Sequence, residues 1–211
     1  MEAPYVQRQA NPKLKGGRGK KKKRSEIKEL LMLFILSREG PVGRYRLKAM
    51  LNLLDREGVV RSMLTDLAQQ GYLEVTKFGC SLTQKGQILL ETRFEVHHIM
   101  GIKPFSDPHM MDAPTSVAVH LHNRVDKVKS AMELRDLAVR VGASGATVVF
   151  YEKEKLTLPS VNADFFSDHP KTTLEIYDSF DLEDNDVLVF IFAEDPWRGF
   201  EASIAIALAL S

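Results

Sequence analysis

The sequence predicts an α+β protein built in two parts, and three observations carry that reading. The first is charge: of 211 residues 29 are Lys or Arg and 28 are Asp or Glu, a net +1. Residues 1–100 nevertheless carry +9 and residues 101–211 carry −8, a split that points to two parts with different partners. The second is that apolar residues recur at helical spacing in three stretches between residues 25 and 70, followed by two short extended runs around a Gly-containing turn. The third is that β-rich and helical stretches alternate beyond residue 115.

Composition excludes several classes. A hydrophobic fraction of 44% and a charged fraction of 27% are those of an ordinary globular protein. No apolar run reaches the ~18 residues of a membrane span, and no signal-peptide pattern opens the chain, so no membrane partner is expected. A single cysteine, Cys80, excludes an internal disulfide framework and a Cys-rich zinc ribbon. It fits a reducing cytoplasm.

Residues 1–24 lack apolar periodicity and hold Gly16-Gly17-Arg18-Gly19 followed by Lys20, Lys21, Lys22, Lys23 and Arg24, with Glu2 as the only acid. Such a stretch buries too little to offset its ordering entropy and is expected to be a disordered basic arm. A basic arm tracks phosphates without reading sequence; the same composition also describes a solubilising tail.

The first helix is expected from Ser25, a plausible N-cap, to Glu39, on Ile27, Leu30, Leu31, Phe34 and Ile35. Gly40-Pro41 stops it. A second is expected over about 44–53, with Tyr45, Leu47, Met50, Leu51 and Leu54 as its apolar positions. After the turn Asp55-Arg56-Glu57-Gly58, a third covers about 59–70, with Val60, Met63, Leu64 and Leu67 inward and Gly71 at its end. Residues 72–76 and 79–84 read as a β-hairpin, and a further helix begins near Gly86. Three helices and a hairpin in this order make a winged helix-turn-helix.

In that motif the third helix enters the major groove, which admits one α-helix and displays a full donor/acceptor code. The outward positions are then Val59, Arg61, Ser62, Thr65 and Gln69. Arg61 suits a bidentate contact to guanine, Ser62 and Thr65 suit base edges or phosphates, and Val59 suits a thymine methyl. Arg44 and Arg46 fall where phosphates pass the second helix, and Lys77 falls on the wing. The same residues also describe a solvated helix face, and winged helices serve protein–protein contacts too.

Beyond Gly101-Ile102-Lys103-Pro104 a linker is expected over 101–114. A strand at 115–122, an amphipathic helix at 125–141, strands at 146–151 and 155–158, a short strand at 172–176, an apolar strand at 187–193 and a helix at 200–210 follow. The organisation expected is a disordered basic arm (1–24), a winged-helix DNA-binding domain (25–100), a linker (101–114) and an α/β sandwich-type regulatory or dimerisation domain (115–211). The last helix is apolar on nearly every side, which suggests burial on two faces and a dimer interface.

No catalytic set assembles in the acidic half, so no enzyme and no cofactor are expected. His120 and His122 share a strand face, but two histidines are too few for a metal, and Asp164, Asp168 and His169 would have to join from a distant loop. Glu194, Asp195, Trp197 and Arg198 follow a buried strand, where open α/β sheets take ligands, and are the candidates for a small-molecule effector. Asp195 also fits a helix cap with Pro196 in the first turn.

Several segments carry a resemblance: Gly43-Arg44-Tyr45-Arg46-Leu47, Gly58-Val59-Val60-Arg61, Gly71-Tyr72-Leu73-Glu74 and Gly79-Cys80-Ser81-Leu82-Thr83-Gln84-Lys85-Gly86. Over roughly residues 25–95 the chain resembles archaeal winged-helix transcriptional regulators, most closely in the Leu-Thr-x-Lys-Gly end of the wing. The glycine-glutamate usual before the recognition helix is replaced by Asp55-Arg56-Glu57-Gly58. The C-terminal half resembles a domain of unknown function often fused to such modules. The resemblance implies a winged-helix fold and a regulatory role; with the charge split, the basic arm and the apolar last helix, the expectation is a DNA-binding transcription regulator, partnered by double-stranded DNA and acting as a homodimer. A winged-helix interaction module, or an RNA-binding protein without DNA sequence readout, is the alternative.

Overall fold

Leu30 to Leu36 are buried without a break, so the helix that carries them is covered on every side. The structure, a computed structural model, describes residues 17–105, 113–159 and 169–211. Among the described residues it is mixed α+β, with seven α-helices and two antiparallel sheets.

Helix α1 spans Gly17–Glu39. It begins well before the expected cap at Ser25, so the lysine run 20–23 is helical rather than part of an unstructured arm. Lys and Arg are good helix formers once an apolar segment anchors the turns that follow. Residues 1–16 of the expected arm lie outside the described residues. Helix α2 (Arg44–Met50) and helix α3 (Glu57–Gln69) come next; α3 starts two residues before the expected Val59. Strands β1 (Leu73–Thr76) and β2 (Gly79–Leu82) form the hairpin, with Val75 opposite Cys80. Val42 joins it through paired hydrogen bonds with Cys80, both 2.9 Å. A Cβ on Gly79 would sit 2.6 Å from the Val42 carbonyl carbon, so this close approach requires glycine. Helix α4 (Gln84–Val96) is capped by Thr83, whose Oγ1 accepts from Gly86 N at 3.1 Å.

The second half holds β3 (Ile99–Phe105), β4 (Thr115–Leu121), α5 (Ala131–Val141), β5 (Gly145–Glu152), β6 (Lys155–Thr157), α6 (Pro170–Ser179), β7 (Asp186–Ala193) and α7 (Pro196–Leu210). Its sheet has the order β3-β4-β7-β5-β6, and every pair is antiparallel. Central β7 is buried at all positions, which explains its unbroken apolar run.

Two expectations are corrected here. Part of the supposed linker 101–114 belongs to β3, whose register shifts between Ile99 and Gly101; residues 106–112, with Pro108, lie outside the described residues. Gly101 and Pro104 read as punctuation, yet an edge strand tolerates both. Residues 172–176, expected as a strand, lie in α6 with Thr172, Thr173 and Ile176 buried. Pro170 opens that helix, and Thr173 Oγ1 donates to His169 O at 2.9 Å, so a β-branched residue is satisfied in a helical turn.

Helices cover both faces of the sheet. Phe105, Leu188, Phe190 and Phe192 pack with Ile176 and Phe180 on one side. On the other, Val117, Val119, Val189 and Ile191 share a core with α7 residues Phe200, Ile204 and Ala207. That same core continues into α1, α2 and α3. Helix α7 contacts the sheet, α5 and α1, and Phe34 meets Phe200 edge-to-face at 5.1 Å. Both faces of the last helix are thus used within the chain, which corrects its reading as a dimer interface.

Candidate nucleic-acid interface

Helix α3 sorts its residues by face. Val60, Leu64 and Leu67 are buried, while Val59, Arg61, Ser62, Thr65 and Gln69 are exposed. Met63, expected inward, is half-buried. The outward side chains are held only loosely. Arg61 Nη2 lies 3.4 Å from Glu57 Oε1, and Ser62 Oγ donates to Asp66 Oδ2 at 3.4 Å. Exposed contacts of this length contribute at most a few tenths of a kcal/mol and yield readily to a ligand.

Two cavities flank this face, and Arg44 lines both. The smaller, about 240 Å³, lies between α3 and the hairpin and is lined by Arg61, Thr65, Gln69 and Val75. The larger, about 460 Å³, lies between the start of α2 and the hairpin, with Tyr45, Lys48, Lys77 and Phe78 in its walls. Arg44, Arg61, Thr65, Gln69 and Lys77 are therefore gathered at one surface. Arg46 is not with them in its bonding: its Nη2 lies 2.6 Å from Glu39 Oε2 at the end of α1. Arg24 is exposed on α1; the side chains of Lys20, Lys21, Lys22 and Lys23 lie outside the described residues.

Sequence reasoning missed Tyr45 and Phe78. Helical spacing puts Tyr45 in the apolar stripe of α2, but it is 77% exposed. It lies two positions from buried Leu47, about 200° around the helix, and so on the opposite side. Phe78 is 74% exposed beside the Gly79 turn. Lys48 stands 6.0 Å from the Tyr45 ring centre and Lys77 stands 5.1 Å from that of Phe78. Cys80 is buried beneath the cavities, and burial pushes its thiol pKa up against the opposing pull of Arg44.

The charge is distributed unevenly within the basic half. Residues 1–24 carry +8 of the +9, and residues 25–100 carry only +1. The folded surface thus relies on the placement of a few cations, while the bulk of the positive charge precedes Ser25.

The candidates in the acidic half have structural engagements. Asp195 Oδ1 accepts from Trp197 N at 2.9 Å and Arg198 N at 3.2 Å, capping α7. Trp197 packs on Phe200, and Arg198 Nη2 donates to Asn52 Oδ1 at 2.9 Å, linking α7 to the turn between α2 and α3. Glu194 is exposed. His120 Nε2 and His122 Nδ1 donate to Asp186 at 2.6 and 3.0 Å, and the N–H groups of Asn123 and Glu183 add two further bonds, both 2.9 Å. An ionised carboxylate only accepts, so each imidazole carries its proton on the nitrogen facing Asp186. Burial raises the Asp186 pKa, but the His120 bond and the two backbone donors outweigh it and hold the carboxyl below its ordinary value. Among the described residues no group of three or more His, Cys, Asp or Glu is arranged to hold a metal ion. Asp164 and Asp168 lie outside the described residues. No helix among the described residues is long and apolar enough to cross a membrane.

Comparison with known proteins places part of this architecture. Residues 113–210 match a domain of unknown function, DUF4443. A hypothetical protein of Pyrococcus horikoshii OT3, PH0730, is similar in fold, with a TM-score of 0.68 and 24% identity. The alignment covers 87% of this chain and 91% of the archaeal one, so the likeness extends over both halves. No curated protein matches the chain.

Proposed function

We propose that the N-terminal half is a winged helix-turn-helix that binds double-stranded DNA, and that the chain is a cytoplasmic transcription regulator. In this reading α3 enters the major groove, the β1–β2 hairpin is the wing, and the lysine-rich segment before Ser25 tracks phosphates. The observation that carries it is the convergence of Arg61, Thr65 and Gln69 on α3 with Arg44 on α2 at one exposed surface beside the hairpin. Arg61 serves as the base-reading side chain, Arg44 and Lys77 as phosphate contacts.

A homodimer belongs to this proposal, since two copies set two α3 helices ~34–36 Å apart on a pseudo-palindromic site. Its interface uses a surface other than α7. Regulation by the acidic half passes through the contacts of α7 with α1 and the α2–α3 turn.

Selection of genomic fragments on the purified protein, at low and moderate salt, tests the reading. An enriched motif bound with a steep salt dependence supports it. Retention of all fragments alike, or of none, removes sequence-specific DNA binding.

A further inference from the structure

The larger cavity holds features that major-groove reading by α3 does not use. Tyr45 and Phe78 line it from α2 and from the hairpin, 77% and 74% exposed. An aromatic ring ordinarily contributes 150–250 Å² of buried surface to a core or an interface; here two are left in water on the walls of one recess. Three cations share the recess, Arg44, Lys48 and Lys77. The one acid there, Glu57, already faces Lys48 at 3.6 Å and Arg61 at 3.4 Å. The Arg44 side chain makes no hydrogen bond or ion pair among the described residues, and its charge acts on the buried Cys80 thiol. The lining therefore offers two π faces and an excess of positive charge in about 460 Å³, a volume within the range of small-ligand sites.

A ligand matched to that lining is flat on both faces and anionic at its edge. Paired bases inside a duplex show their edges to a protein, and their faces are covered by stacking. Away from the end of a duplex only an unpaired base exposes a face, and every base does so whatever its sequence.

We propose that this cavity receives an unpaired nucleobase, stacked on Tyr45 or Phe78, with its phosphate held by Arg44 and Lys77. The inference rests on the DNA-binding reading and sharpens it: the substrate class becomes duplex DNA with a single-stranded end or overhang. Arg44 lines both cavities, so one strand running past it joins the α3 face to the stacking recess. The Val42–Cys80 pairing, 2.9 Å each way, ties the chain entering α2 to the hairpin and sets the separation of the two walls.

The test uses the full chain with a blunt duplex, the same duplex carrying a three-nucleotide overhang, and the overhang strand alone, each overhang containing one 2-aminopurine. Wild type is expected to bind the overhang duplex about 5- to 150-fold tighter than the blunt one, the range expected of one stacked base. The fluorescence of the 2-aminopurine changes on binding. Tyr45→Ala with Phe78→Ala removes the fluorescence change and brings the ratio of overhang to blunt affinity down to about one. Both side chains are exposed, and an unchanged circular dichroism spectrum confirms that the variant folds. Equal affinity for blunt and overhang duplexes overturns the cavity assignment and leaves duplex binding standing. Binding of the single strand with a Tyr45- and Phe78-dependent fluorescence change, but no duplex binding, keeps the cavity assignment and overturns major-groove reading. Absence of binding to all three overturns both.

Discussion

Lys28 Nζ lies 2.6 Å from Glu201 Oε1, with the two side chains only 6% and 8% exposed. The pair joins α1 to α7, and Lys28 also donates to Leu51 O at 2.6 Å, at the end of α2. Burial lowers the Lys28 pKa, opposed by its hydrogen bond and charge attraction to Glu201. Removing one partner strands the other away from water. Glu201→Ala is therefore expected to cost about 3–5 kcal/mol, read from the urea midpoint. The pair Lys28→Met with Glu201→Leu is expected to recover most of that, short of about 1–3 kcal/mol for the abandoned Leu51 carbonyl. A double variant no better than Glu201→Ala would mean that the lost stability lies elsewhere than in the stranded charge.

The core passes from one half to the other without a break, so the halves are expected to unfold together. Phe200→Ala removes a ring packed on both Phe34 and Trp197 and should cost about 3–5 kcal/mol. It should lower a single thermal transition. A fragment of residues 113–211 lacks β3 and α1 and is expected to lose its near-ultraviolet signal. Two separate transitions in the whole chain would show the halves to be independent.

Arg61→Ala is expected to relax base preference at one position of the bound site and to cost ~1–3 kcal/mol there. Glu57→Gln should act in the opposite direction, since it frees the guanidinium from its 3.4 Å partner. Binding-site profiles of the two variants against wild type check both; an unchanged profile for Arg61→Ala would remove it from base readout.

Deleting residues 1–24 removes +8 and leaves +1 on residues 25–100. Weaker binding on all sequences and a flatter dependence of log affinity on log salt are expected. Loss of about four phosphate contacts lowers the slope by roughly 3–4. An unchanged slope would assign the segment to solubility.

Asp186 gives the fold an acid limit. Its folded pKa is depressed below the ordinary value of 3.8, so the stabilisation is fully present above that value. It is lost as the pH falls from there through the lower folded pKa. Asp186→Asn should be destabilised at neutral pH and lose less stability than wild type between pH 5 and 2, measured by urea unfolding. A parallel pH dependence in the two proteins would remove Asp186 from the acid transition.

Local signals and long-range ones differ in how far they can be read from the chain. Val187 to Ala193 announces a buried strand, and Val60, Leu64 and Leu67 orient α3, because period and burial are local properties. The strand β3 is hidden by Gly101 and Pro104, whose breaking character matters little at a sheet edge. Thr172 and Thr173 suggest a strand by propensity, yet capping and packing place them in α6. At the candidate interface, the exposure of Arg61, Thr65 and Gln69 follows from the facing of α3, whereas helical spacing puts Tyr45 in a core stripe that a seven-residue helix is too short to define. The meeting of Phe34 with Phe200, or of Lys28 with Glu201, has no local trace at all. Each depends on how α7 returns to α1.

That return has a consequence for synthesis. During translation α1 emerges about 160 residues ahead of α7, so Leu30 to Leu36, all buried in the fold, wait for residues 196–210, the helix that covers one of their flanks. Until those residues leave the ribosome, the nascent N-terminal half carries an uncovered apolar stripe and an unmatched lysine. The N-terminal half is thus exposed to aggregation until α7 has been made, and the docking of α7 closes the cover over α1.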